Sequence, residues 1–284
     1  MPEIRLRGGE VDGLRLHYVV EGRGPAVVLL HGLGGFAESW RHNLAPLARR
    51  ATVYALDLPG FGTSAKPRTH YRLADFARAL HGFVEVLGVG QASLVGHSLG
   101  AAVAVTYALT RPARVDRLAL IGGVVPGFSY SPAWIYRLVA LPGVGEALSL
   151  VASAALFKAA LARCFHRPVR AEVDFFVEHE YAARTAPDAR HAYLSTLRHV
   201  RADFETRRDD YRRALATLEP PVLLIHGRQD RVAPAVHCVE VAEALPNAAT
   251  RWVDDCGHFP QIEHADTVNR WLEEFLVGRV RRTP

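Results

Sequence analysis

Cysteine is scarce in this chain and forms no recognised motif. The 284 residues include three cysteines, Cys164, Cys238 and Cys256, and no two of them are spaced as C-x-x-C. An odd number without that spacing excludes a disulfide framework and predicts a reducing compartment. No close cluster of histidine with cysteine or carboxylate stands out either, so the sequence predicts neither a metal nor another cofactor.

Long apolar runs are also missing. The residues that follow Met1 contain no apolar core of a secretory signal. The longest apolar region, 138–161, is interrupted by Pro142, Glu146 and Lys158, which argues against a membrane span. We therefore expect a cytoplasmic protein without stable membrane insertion.

Charge of one sign is not concentrated anywhere in the interior of the sequence. The formal net charge is +5, but acidic residues are interleaved with the arginines. The densest basic stretch, 279–282, is at the C-terminus and is typical of a solvated tail, so we expect no binding to nucleic acid. A composition of 49% hydrophobic and 22% charged residues is that of a globular protein with a large core. A homodimer is left open as an expectation.

Short apolar runs alternate with helix-like segments along most of the chain. The runs lack polar alternation, as strands covered on both faces of a parallel sheet do, and lie at 26–30, 51–56, 92–95, 118–121, 221–225 and 250–253. Helices are predicted at 73–87, 235–245 and 265–276. Ahead of them, the segments 4–6 and 14–18 alternate around Asp12-Gly13 and predict an antiparallel hairpin at the sheet edge. The fold class is therefore α/β, with a mostly parallel, doubly wound sheet.

One region interrupts this alternation. Between residues 126 and 215 no strand pattern appears, and apolar residues recur near helical spacing. Both flanks belong to the same predicted sheet, which favours an inserted helical cap, or lid, over an independent helical domain. We expect a core formed by 1–125 and 216–284, with 126–215 as the cap.

The pentad from Gly96 to Gly100 has the form of a nucleophile elbow. It follows an apolar strand pattern and precedes a helix-compatible stretch, with Ser98 at the apex and a glycine two places to either side. The turn strains the apical residue, and glycines without a Cβ allow neighbouring chain to approach closely. Ser98 is therefore the candidate nucleophile.

A base and an acid follow two later predicted strands. A serine hydroxyl needs a base to take its proton, and that base must be oriented by a carboxylate. Asp230 follows the strand that ends at residue 225, and His258 follows the strand that ends at residue 253. Asp254 and Asp255 are too close in sequence to His258 to be preferred as its partner. The order nucleophile, acid, base on successive strand ends predicts the triad Ser98, Asp230 and His258.

These features together resemble the α/β-hydrolase fold superfamily, in its serine esterase and lipase-like branch, over nearly the whole chain. The matching motifs are His31-Gly32-Leu33-Gly34-Gly35, the segment 57–64, the pentad 96–100, the segment 226–230 and the segment 257–260. The resemblance implies an oxyanion hole made by the backbone N–H groups of Leu33 and Leu99. It assigns a structural role to Asp57.

The resemblance also bears on which reaction the chain is expected to catalyse. Relatives of this fold that are dehalogenases or epoxide hydrolases use aspartate at the elbow, and Ser98 instead favours attack on an acyl carbonyl. We expect a carboxylesterase acting on a small-molecule ester. The alternatives are a carbon–carbon bond hydrolase or a lactonase of the same fold, and a ligand-binding homologue without catalysis. Carbon–carbon hydrolases tend to carry Gly-Asn-Ser-Met-Gly at the elbow, where this chain has His97 and Leu99.

Candidate substrate-binding residues are Gly32, His97, Trp134 and Phe259. Gly32 lets the main chain pass close to a ligand. His97 is expected to line the pocket wall or to pack beneath it. Aromatic and aliphatic residues of the cap form either an apolar substrate pocket or the cap's own core, and these are Phe128, Trp134, Ile135, Tyr136, Leu148, Leu156 and Phe157.

Overall fold

The strands of the chain form a single eight-stranded sheet. In the computed structural model, which describes residues 2–128, 134–151 and 153–277, the strand order is β1-β2-β4-β3-β5-β6-β7-β8. The strands are β1 (Glu3–Arg5), β2 (Arg15–Glu21), β3 (Ala26–Leu30), β4 (Thr52–Leu56), β5 (Ala92–His97), β6 (Val115–Ile121), β7 (Val222–Gly227) and β8 (Ala248–Val253). The β1–β2 and β2–β4 pairs are antiparallel and all other pairs are parallel. The predicted fold class is confirmed.

The helices lie on both sides of this sheet and in one long connection. They are α1 (Arg41–Ala48), α2 (Leu73–Val86), α3 (Leu99–Thr110), α4 (Trp134–Val139), α5 (Val144–Val151), α6 (Ala154–Ala162), α7 (Arg170–Thr185), α8 (Pro187–Thr206), α9 (Arg208–Leu215), α10 (Ala235–Ala244), α11 (Pro260–Glu263) and α12 (Ala265–Val277). Each predicted helix is present with its ends within two residues of the expected position.

Successive residues of the central strands pack on opposite faces of the sheet. On β3, Val28 and Leu30 belong to the core under α2 and α3, whereas Val27 and Leu29 belong to the core under α1 and α12. Every residue from 27 to 30 is at most 2% exposed. Coverage on both faces is the reason that these strands have apolar runs without polar alternation.

The connection between β6 and β7 consists of helices and the loops that join them in its described part. It contains α4 to α9, and no strand occurs within residues 134–151 or 153–215. We refer to the described residues from 134 to 215 as the insertion. Among the described residues, no single helix is long and apolar enough to span a membrane. The pair α5 and α6 meets that criterion only when the two are taken together, and they are bent by 107° to each other.

Candidate active site

Ser98 lies at a sharp turn between β5 and α3. Its backbone angles, φ 51° and ψ −114°, are in the left-handed half of conformational space, which is strained for a residue with a side chain. A Cβ on Gly96 would overlap the backbone of Gly100, and one on Gly100 would overlap the carbonyl oxygen of Leu30. Both glycines are thus required by close backbone approach, as the elbow motif predicts.

Asp230 and His258 are brought together by the ends of β7 and β8. Nδ1 of His258 lies 2.8 Å from Oδ2 of Asp230, and both side chains are buried. The other carboxylate oxygen accepts hydrogen bonds from the backbone N–H groups of Val232 and Ala233 at 2.8 and 2.9 Å. Asp254 pairs with Arg228 instead. Of the candidate acids, Asp230 is therefore the one bonded to His258.

The surroundings of Asp230 keep it ionised. Burial acts to raise the pKa of this carboxyl, but the neighbouring His258 and the backbone N–H donors outweigh burial and lower the pKa below its usual value. A carboxylate at Nδ1 fixes the His258 tautomer with the proton on that nitrogen. Nε2 is then free of a proton and can act as a base.

Ser98 and His258 line the same cavity. Their side chains are largely buried, and among the described contacts no hydrogen bond joins the Ser98 hydroxyl to the imidazole. Catalytic hydrogen bonds of this kind are often long without substrate and tighten in the Michaelis complex. Both side chains thus reach the same cavity, as they must in order to act on one bound substrate.

The two backbone amides predicted for an oxyanion hole also belong to this cavity. Leu33 lies in the turn after β3. Leu99 is the first residue of α3, so its N–H lies in the first turn of the helix and has no intrahelical acceptor. Within the described part of the chain, neither N–H donates a backbone hydrogen bond. Both donors are thus available to a negatively charged oxygen.

The cavity has a volume of about 300 Å³ and is mainly apolar. Three of the four candidate substrate-binding residues, Gly32, His97 and Phe259, line it, while the side chain of Trp134 is outside the described residues. Of the other aromatic and aliphatic candidates in the insertion, Tyr136 and Phe157 line the cavity. Leu148 and Leu156 are exposed, and Phe128 is buried in the core of the sheet. The side chain of Ile135 is outside the described residues.

His97 is a neutral, buried wall residue. Its Nε2 donates a hydrogen bond to the carbonyl oxygen of His258 at 2.8 Å, and its ring packs against Phe259. Burial lowers the pKa of His97 to about 3, with the nearby His258 adding to the effect. This side chain therefore holds no charge at neutral pH and contributes to the position of the His258 loop.

Two other histidines at strand ends tie turns together. His31 bonds to the Gly32 carbonyl oxygen through Nδ1 and accepts the N–H of Leu58 through Nε2. His226 donates through Nε2 to the carbonyl oxygen of Ala233. Burial lowers the pKa of both imidazoles, so both are neutral. These ring nitrogens are thus bonded to backbone groups and do not face the cavity as free donors or acceptors.

Several polar residues of the cavity are not apparent from sequence motifs. They are Ser39, Glu180, Thr196, Arg201, Glu205 and Gln261. Four of them lie on α7 and α8, where the sequence has no motif that marks the face turned to the cavity.

The described residues contain no group of three histidine, cysteine or acidic side chains that could hold a metal ion. Burial raises the pKa of the Cys238 thiol to about 12 and raises that of Cys256 as well, which keeps both thiols protonated.

Comparisons with known proteins agree with this architecture. The α/β-hydrolase fold family model matches residues 25–265. The chain is 32% identical to a 2-hydroxy-6-oxononadienedioate/2-hydroxy-6-oxononatrienedioate hydrolase of Pseudomonas putida, over 96% of this chain and 94% of that protein.

Solved structures of similar proteins share this fold over nearly their whole length. The 2-hydroxy-6-oxo-6-phenylhexa-2,4-dienoate hydrolase from Rhodococcus sp. strain RHA1 superimposes with a TM-score of 0.82 and 28% identity, over 96% of this chain and 97% of that one. An ancestral haloalkane dehalogenase has a TM-score of 0.82 and 26% identity, over 98% of both chains. Since the family model alone covers most of the sequence, the chain belongs to the α/β-hydrolase fold family.

Proposed function

We propose that the chain is a serine hydrolase in which Ser98 attacks a carbonyl carbon. His258 takes the hydroxyl proton at Nε2, Asp230 orients the imidazole and stabilises its charged form, and the N–H groups of Leu33 and Leu99 bind the oxyanion. The hydrogen bond of 2.8 Å between Asp230 and His258, at the wall of the cavity that also contains Ser98, is the observation that carries this proposal.

The reaction that the relatives favour is cleavage of a carbon–carbon bond beside a ketone. Ser98 adds to the ketone, the carbon–carbon bond breaks, and its electron pair passes into the conjugated fragment, which takes a proton from His258. Water, activated by His258, then releases the acyl group from Ser98 as a carboxylic acid. Support comes from two hydrolases of such dienoates that match this chain over nearly its full length.

The cavity favours an apolar acyl group in this reaction. Its wall is mainly aliphatic and aromatic, which disfavours the burial of a second carboxylate. This suits a phenyl-substituted dienoate better than a nonadienedioate. Among the described lining residues, Arg201 is the one arginine or lysine. It is paired with Glu205 at 2.8 Å, so the dienoate carboxylate would share or replace that contact.

Hydrolysis of a neutral carboxylic ester is the second candidate function. The apolar lining and the neutral His97 at the elbow support it, because an ester needs no cation in the cavity. Dehalogenation is not proposed, since the residue at the apex is Ser98 and not a carboxylate. In both candidates the insertion acts as a cap, which is supported by the lining residues that α4, α6, α7 and α8 contribute.

The experiment compares the wild-type chain with Ser98→Ala and Ser39→Ala on two substrates. One substrate is 2-hydroxy-6-oxo-6-phenylhexa-2,4-dienoate, followed by loss of its visible absorbance, and the other is a p-nitrophenyl ester series of increasing acyl length. Ser39 lines the same cavity but donates its hydroxyl to the Phe36 carbonyl oxygen, so it is the matched control serine. We expect kcat to fall by about 10⁴–10⁶ in Ser98→Ala and to change little in Ser39→Ala.

The substrate that is turned over decides between the candidates. Faster cleavage of the dienoate supports the carbon–carbon hydrolase, and turnover of esters alone supports the esterase. Equal rates in the wild type and Ser98→Ala would contradict both.

A further inference from the structure

The loop that carries His258 is hydrogen-bonded both to the insertion and to the end of a sheet strand. The His258 backbone N–H donates to the carbonyl oxygen of Cys164, at the end of the α6 segment, at 2.7 Å. Its carbonyl oxygen accepts the hydrogen bond from Nε2 of His97 at the end of β5. Both backbone polar groups of His258 are therefore bonded to parts of the molecule that are distant in sequence.

Glu263, the last residue of α11, adds a carboxylate bridge around the same loop. Oε1 accepts the N–H of Gly257 at 2.9 Å and that of Phe259 at 3.3 Å, while Oε2 accepts the N–H of His166 at 2.8 Å. A carboxylate has two acceptor oxygens, so one side chain can hold donors on both sides of His258 and a third donor in the insertion. This carboxylate thus joins the His258 loop, through two backbone N–H groups, to the insertion, through a third.

The insertion and the loop meet at backbone distance. A Cβ on Gly257 would lie 2.6 Å from the backbone nitrogen of His166 and 2.8 Å from the carbonyl carbon of Phe165. Phe165 in turn stacks on Phe259, with ring centroids 4.7 Å apart. A shift of the insertion at this point would therefore move the residues on both sides of His258.

We propose that Glu263 is a positioning residue for His258, which fixes the loop against the insertion so that the imidazole meets both Asp230 and the cavity. Hydrogen bonds to an ionised carboxylate are stronger than neutral ones. A displacement of about 1 Å in a catalytic group costs about 10²-fold in rate. The carboxylate has no contact with a reacting atom in this role and acts through the loop.

The variants are Glu263→Ala, Glu263→Gln and the control Glu172→Ala. Glu172 on α7 also ties the insertion to the core, through Arg41 and His42 of α1, and none of its described hydrogen bonds goes to the His258 loop. The Glu172→Ala variant weakens the contact between the insertion and the core but leaves Glu263 in place. It therefore shows which effects come from a looser insertion and not from a displaced His258 loop. Glu263→Gln keeps the volume and one acceptor oxygen, so it carries the test if Glu263→Ala does not fold.

The first measurement is the far-downfield proton resonance of the His258 Nδ1–H that is donated to Asp230, assigned by its loss in Asp230→Asn. We expect this resonance in the wild type and in Glu172→Ala. It should be broadened by solvent exchange or lost in both Glu263 variants. Because it needs no substrate, this measurement is independent of the proposed function.

The second measurement rests on the proposed function and uses whichever substrate the wild type turns over. We expect kcat to fall about 10–100-fold in Glu263→Ala, less in Glu263→Gln, with KM little changed. An unchanged resonance and kcat in both Glu263 variants would overturn the proposal, as would equal losses in Glu172→Ala. A wild type that turns over no substrate would contradict the proposed function alone.

Discussion

The imidazole of His17 on β2 lies 2.9 Å from the carboxylate of Asp57, which follows β4, and both side chains are buried. The bond to Asp57 outweighs burial and raises the pKa of His17. Burial acts to raise the pKa of Asp57, but His17 and the N–H groups of Thr63 and Ala37 lower it below its usual value. The two residues therefore form a buried, hydrogen-bonded pair at the antiparallel edge of the sheet, away from the triad, in which each favours the charged form of the other.

This pair gives stability a defined pH dependence. The raised pKa of His17 stabilises the fold below about pH 6.5, the unfolded value, and the gain is lost as the pH rises through the folded pKa. The lowered pKa of Asp57 stabilises the fold above about pH 4, and that gain is lost as the pH falls through the folded pKa. The pair should therefore contribute most between about pH 4 and 6.5.

Replacement of His17 by phenylalanine should reveal this contribution. The variant leaves the Asp57 charge buried without its partner, which costs about 3 kcal/mol at pH 6. In urea unfolding, the midpoint of the wild type should fall between pH 6 and 9 more steeply than that of the variant. His264→Gln is the histidine control, because His264 bonds to a surface carbonyl oxygen. Parallel pH curves for the wild type and His17→Phe would show that the pair is not ionised.

The strands and the close approach of Asp230 to His258 could be predicted because their signals are local. The apolar runs of β3 and β7 end in turn residues, and the residues that follow parallel strands meet at one edge of the sheet. That rule alone brings Asp230 and His258 together. The elbow was predictable because its motif is local in sequence, although the chain that approaches Gly100 is Leu30 of β3 and not the elbow's own strand.

The cavity wall contributed by the insertion could not be predicted from local signals. Phe157 lines the cavity while the adjacent Leu156 is 62% exposed, although both are apolar residues of α6. Which face of such a helix is buried depends on how it packs against the sheet, and the sequence pattern does not fix that rotation. The bridge made by Glu263 is likewise invisible in the sequence, because it depends on the path of the insertion backbone near Gly257.

Removal of the Asp230 charge should abolish most activity without unfolding the protein. In Asp230→Asn, the side-chain amide can donate to Nδ1 of His258 and so favours the wrong tautomer, with the proton on Nε2. We expect kcat to fall about 10⁴-fold. The control is Asp254→Asn, since the Asp254 side chain is 81% exposed and pairs with Arg228. A variant of Asp230 that retains more than a tenth of the activity would exclude this residue as the triad acid.

The elbow glycines should be intolerant of a methyl group. In Gly100→Ala, the new Cβ would overlap the carbonyl oxygen of Leu30 and lie 2.8 Å from that of His31, so α3 must move away from β3. We expect a loss of about 3 kcal/mol in the free energy of unfolding, together with a fall in kcat, because Ser98 moves with α3. Gly90→Ala is the matched control, as nothing lies within 4 Å of a Cβ there. Equal unfolding midpoints for the two variants would contradict the overlap.

Arg201 should separate the two candidate substrates. A dienoate carries a carboxylate that an arginine on the cavity wall can bind, and a neutral ester does not. In Arg201→Gln, we expect KM for 2-hydroxy-6-oxo-6-phenylhexa-2,4-dienoate to rise about tenfold, the effect of one lost charge-assisted hydrogen bond. KM for a p-nitrophenyl ester should stay unchanged. Arg213→Gln is the control, because Arg213 is a surface residue paired with Asp210. Equal changes of KM for both substrates would mean that Arg201 shapes the cavity through packing, and that the dienoate carboxylate is bound elsewhere.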